Sequence, residues 1–152
     1  MTALDAFRDD GPLTGGLRLA PSGRLAWLVP PLLRAVEYGG LIALTALAAP
    51  DAMPICFALL GVLAFHHYDI VYRLRAQGQA PPEWLRAAGG GWDGRLLIAG
   101  VLALSGETAL RGGLLAGAMI LGVLFVGESI ASWIRFARTE RPALPLDQDL
   151  ED

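Results

Sequence analysis

The chain is poor in the residues on which most soluble chemistry is built. It has one cysteine, two histidines and no lysine in 152 residues. Cys56, being alone, excludes an intrachain disulfide and a cysteine-based zinc site. Every basic side chain is an arginine and no basic run occurs, so the electrostatic footprint of a nucleic-acid binder is missing. Charge of either sign is scarce, at 18%, where soluble domains carry about 25%. The acids gather mainly in the tails: Asp5, Asp9 and Asp10 at one end, Asp147, Asp149, Glu151 and Asp152 at the other. Residues 1–24 hold acids, glycines and prolines but no apolar core, so a cleavable signal peptide is not expected.

What the chain has is apolar surface. Hydrophobic residues make up 54% of it, the mean hydropathy is +0.47, and they are clumped in long runs. This pattern favours an all-α integral membrane bundle, because a spanning helix needs roughly 20 predominantly apolar residues. Four spans are expected between residues 25 and 138. They follow a flexible segment (1–24) and precede a disordered acidic tail (139–152) with Pro142 and Pro145.

Span one covers about Leu25 to Ala48, with a kink or broken first turn expected at Pro30 and Pro31. A tight turn follows, with Asp51 as the expected N-cap and Pro54 inside the first turn of span two, which runs to about Arg75. The next loop contains a short amphipathic piece, Pro81 to Ala88. It reads as an interfacial helix with Trp84 and Leu85 in the headgroup layer. Span three, about Trp92 to Leu110, is the weakest. Span four, about Gly112 to Phe136, is the clearest, and Gly113 and Gly117 form a GxxxG packing step in it.

Arginine counting orients the chain. Arg8, Arg18 and Arg24, then Arg73, Arg75, Arg86 and Arg95, then Arg135, Arg138 and Arg141 fall on one side, and Arg111 on the other. By the positive-inside rule both termini are cytoplasmic in a multi-pass plasma-membrane protein.

The runs are not purely apolar. Span two passes without a turn signal into His66, His67 and Asp69 and ends at Arg73 and Arg75. Spacing puts His66, Asp69 and Arg73 on one helical face, and likewise Arg34 with Glu37. Ionisable groups inside a membrane helix are expensive and point by default to function or tight pairing. Residue counting places those of all four spans in the cytoplasmic half at one depth. The expected polar cluster is therefore Arg34, Glu37, His66, Asp69, Arg73, Asp93, Arg95 and Glu128.

Two chemistries are open to it beside plain ion pairing. Arg34, Arg73 and Arg95 could hold a phosphate through their planar forks. His66 and Asp69, with Glu128, could ligate a divalent cation, since imidazole and carboxylate suit zinc or manganese. The glycine-rich Gly89–Arg95 stretch could wrap a phosphate in backbone N–H groups, but it lacks a Walker lysine and serves equally as a hinge.

Three strings carry a resemblance: Pro31-Leu-Leu-Arg-Ala-Val-Glu-Tyr38, Phe65-His-His-Tyr-Asp-Ile-Val-Tyr-Arg-Leu-Arg75 and Gly89-Gly-Gly-Trp-Asp-Gly-Arg95. Together they resemble an actinobacterial membrane domain of unknown function that often lies C-terminal to a CDP-alcohol phosphatidyltransferase domain. The resemblance covers about Leu25 to Phe136. It implies work in phospholipid or inositol-phosphate headgroup metabolism and carries no catalytic residues. The transferase's own signature is absent, for Asp93-Gly-Arg95 is only a fragment of it. The expected role is an accessory membrane domain. The alternatives are a small metal-dependent membrane enzyme acting on a phosphorylated or CDP-linked lipid, and a purely structural module. The expected partners are membrane lipids and a CDP-alcohol phosphatidyltransferase, in trans or fused; a homodimer is a further alternative, and nucleic acid is not expected.

Overall fold

A computed structural model describes residues 28–78 and 81–139. The expected N-terminal segment and the tail beyond Thr139 lie outside the described residues. Within them the fold is all-helical: α1 (Val29–Ala48), a 3-10 turn (Pro50–Ala52), α2 (Met53–Ala76), the short α3 (Glu83–Ala88), α4 (Gly91–Leu104) and α5 (Glu107–Thr139).

Proline sets where helices begin. Pro30 and Pro31 do not kink α1; they stand in its first turn. Their missing N–H groups are among those that have no helical partner there anyway, and the fixed φ already suits a helix. Pro54 plays the same part in α2. Asp51 is not the N-cap: Ala52 holds that position without a side-chain cap, and Asp51 sits exposed in the 3-10 turn.

Among the described residues three helices are long and apolar enough to cross a membrane: Val29–Ala48, Pro50–Ala76 and Glu107–Arg138. The third expected span is shorter than its hydropathy suggests. α4 has 14 residues, about 21 Å of helix, against the 30 Å of a bilayer core. It stops at Leu104 because Ser105 and Gly106 break the chain, with Gly106 at φ +112° where a side chain would be strained. Leu110 belongs to α5. The weak span is therefore about two-thirds of a span, joined by a sharp hinge to a helix of 33 residues.

The four main helices pack in a ring: α1 beside α2, α2 beside α5, α5 beside α4, and α4 beside α1, with α2–α5 the most extensive pairing. Leu41, Cys56, Leu63, Leu110 and Phe125 form its buried centre. Glycines let α4 fit closely on both flanks. A Cβ at Gly40 would stand 2.8 Å from the tip of Leu96, and one at Gly113 would overlap the tip of Leu102. The GxxxG step thus packs within the chain, with Gly113 against α4 and Gly117 near Leu59 of α2. α3 is not a helix with both large residues in a headgroup layer. Leu85 is fully buried in the core cluster while Trp84 is exposed, so one face of this short helix caps the bundle.

Candidate functional site: two buried ion-pair hubs

All eight residues of the expected cluster lie within the bundle; seven of them form two groups at different heights, and His66 lies between. In the first, Glu37 on α1 is fully buried and receives two guanidinium groups. Arg34, one turn earlier, donates from Nη1 to Oε2 at 2.6 Å. Arg95 on α4 donates from Nε to Oε1 at 2.6 Å and from Nη1 to the Gly89 carbonyl at 2.7 Å. Asp93, also buried, accepts the Gly94 backbone N–H at 3.0 Å. The glycine-rich stretch thus serves this hub by turning sharply, with Gly90 and Gly91 at positive φ, so that a backbone carbonyl faces Arg95.

In the second group the signs are exchanged. Arg73 on α2, 2% exposed, lies between two carboxylates: Asp69 one turn earlier at 2.7 Å and Glu128 of α5 at 2.5 Å. Ser129 donates its hydroxyl to Asp69 Oδ1 at 2.8 Å. Arg135 reaches the other Glu128 oxygen at 3.3 Å from the rim, where it is 66% exposed.

Height follows from counting along the helices. Ala48 and Met53 meet at the tight turn, and at 1.5 Å per residue Glu37 lies about 16 Å below it and Arg73 about 30 Å. The expectation of one common depth is therefore corrected: the hubs are stacked roughly 14 Å apart along the bundle. The reason is the late start of α1 together with the length of α2, which counting from loop charges alone does not reveal.

The histidines lie between these levels. The His66 ring stacks on Phe125 with centroids 3.8 Å apart and planes 11° off parallel. His67 Nδ1 is 2.9 Å from the Tyr38 hydroxyl, tying α2 to α1. The expected metal pair is His66 and Asp69. His66 faces an aromatic ring and Asp69 faces Arg73 and Ser129. Among the described residues no group of three His, Cys, Asp or Glu is placed to hold a metal ion.

Sequence reading missed Ser129, Tyr38, Phe125 and the Gly89 carbonyl. Ser129 and Tyr38 each adjoin a residue it had chosen, which is the only local signal they give. A serine or tyrosine in an apolar run is ordinary, and its partner lies tens of residues away.

These features define a class: an all-helical bundle, three of whose helices can cross a membrane, held together inside by paired ionisable groups. A family model described as a family of unknown function (DUF5941) matches residues 3–147, and the chain belongs to that family. No curated protein and no solved structure matches the chain.

Proposed function

We propose that the chain is an accessory integral membrane domain, multi-pass with both ends cytoplasmic, that assembles beside a CDP-alcohol phosphatidyltransferase and supports phospholipid or inositol-phosphate headgroup transfer without catalysing it. The observation that carries the non-catalytic part is Arg73: the most buried arginine among the described residues is committed on both sides, to Asp69 and to Glu128. A group that holds a transferred phosphate has to exchange partners during a cycle, whereas a guanidinium locked between two carboxylates fixes the register of two helices. The transferase association rests on the three-string resemblance, and the orientation rests on the arginine count. The enzyme reading would draw on His66 and Asp69, and both are engaged in packing or pairing.

The test is reconstitution of the purified chain in liposomes with CDP-diacylglycerol, an alcohol or inositol-phosphate acceptor, and Mg²⁺ or Mn²⁺. The expected outcome is no turnover by the chain alone and raised turnover or stability of a co-reconstituted CDP-alcohol phosphatidyltransferase. Metal-dependent turnover by the chain alone would overturn the proposal.

A further inference from the structure

A groove runs between α4 and α5, with empty space of about 710 Å³ including its open side. Its floor is Leu41 of α1 and Leu59 of α2, both buried, and its lips are Ile98 and Ile120, each 59% exposed. It exists because α5 has no side chain at Gly117. A Cβ there would meet nothing closer than Leu59 at 3.7 Å. One turn earlier the groove is pinched, since Leu102 lies against Gly113. A helix needs an interaxial distance of 8–10 Å, which helices in contact at Leu102 and Gly113 do not leave between them. A hydrocarbon chain needs little more than one carbon's contact width, about 4 Å.

The groove has a direction. It starts near Leu110, close to the hinge joining α4 and α5, and ends at Arg95 and Gly89. Arg95 is the one charged residue of its lining, and that guanidinium is already bound to Glu37 and to the Gly89 carbonyl. The end wall is thus a neutralised ion pair rather than an open anion site. From Leu104 to Arg95 the helix covers about 14 Å, close to half of the 30 Å hydrocarbon core, the depth of one leaflet.

We infer that this groove holds one acyl chain of a membrane lipid from the leaflet on the hinge side, with its headgroup at the level of Ser105–Glu107 and its methyl end at Arg95. The chain fills the space between α4 and α5 and keeps the Glu37 hub dry. The inference rests on the bundle being membrane-embedded and needs no transferase partner. Retention of the chain in membranes after a carbonate wash tests the embedding separately.

The experiment is photo-crosslinking in nanodiscs of phosphatidylglycerol whose acyl chain carries a diazirine either near the carboxyl end or near the methyl end, followed by peptide mapping. The inference expects adducts ordered by depth: carboxyl-end probe near Leu110, methyl-end probe near Arg95. Gly117→Leu should reduce groove adducts by about tenfold, equivalent to about 1.4 kcal/mol of binding. Ile98→Trp, placed at the exposed lip where folding is not at stake, should reduce them as well. Gly127→Leu, whose added side chain meets open space elsewhere on α5, should leave them unchanged. Adducts spread evenly over exposed positions such as Leu104 and Val123 would mean annular lipid only and would overturn the inference. So would groove adducts unchanged in both filling variants. If Gly117→Leu turned a dimer into a monomer without changing the adducts, the groove would belong to a second copy of the chain.

Discussion

The two hubs are mirror images in charge. Around Glu37 one carboxylate is held by two guanidiniums; around Arg73 one guanidinium is held by two carboxylates. Each joins a helix to its ring neighbour, α1 to α4 in one case and α2 to α5 in the other. Each is built the same way, from a local pair one helical turn apart plus one residue from a distant part of the chain. The difference is in what happens when the centre is lost. A carboxylate can take up a proton, but a guanidinium stays charged at any accessible pH. The two sites are therefore equally paired but unequally forgiving.

Removing the centre of the Glu37 hub should give the largest effect. Glu37→Gln leaves the buried Arg95 and half-buried Arg34 guanidiniums facing each other with no means of discharge, and stability should fall by about 3–5 kcal/mol, the usual loss when one partner of a buried pair is removed. Denaturation of purified protein in micelles, followed by circular dichroism, measures it. The loss should be flat from pH 5 to pH 8, a window given by the ordinary range of protein work and not by any group in this hub.

Arg73→Met is the counterpart. It leaves Asp69 with the Ser129 hydroxyl and Glu128 with Arg135 at the rim, so each carboxylate keeps one partner. The loss should therefore be smaller, about 2 kcal/mol, by analogy with buried polar groups left without a partner. A loss as large as that of Glu37→Gln in the same denaturation assay would break the comparison, because it would mean that the remaining contacts relieve neither carboxylate.

Arg135→Ala should have the smallest effect. Arg135 touches Glu128 at 3.3 Å but is 66% exposed, and such a pair contributes at most about 0.5 kcal/mol once solvent screening is counted. A larger loss in the same denaturation assay would show that the second hub extends to the exposed rim. That would remove the contrast with Arg34, which is 15% exposed.

The local half of each hub was legible. Arg34 with Glu37, and Asp69 with Arg73, can be read from i,i+3 and i,i+4 spacing alone, because a helix fixes which residues share a face. The choice of Arg95 and Glu128 as inward-facing groups was also legible, since an apolar run punishes a charge directed at lipid. What spacing does not carry is which distant charge joins which local pair. Hydropathy did mark the third apolar run as the weakest, with an uncharged core of only Leu96 to Gly106. That the helix ends in a sharp turn there is carried by the backbone at Gly106.

By itself, then, the amino-acid order determined an all-helical chain with apolar runs, the faces on which its ionisable groups lie, and the turns at which proline starts a helix. These are consequences of a repeat of 3.6 residues and of water's exclusion from apolar surface, and both act within a single segment. Only the tertiary structure decided that the charges divide into two stacked hubs of opposite composition, that α4 falls short of a full span, and that a groove lies between α4 and α5. Those outcomes depend on the relative heights of helices. Heights are set by where each helix begins and by how closely glycines such as Gly40 and Gly113 let neighbours approach, so they arise from the packing of all the segments together.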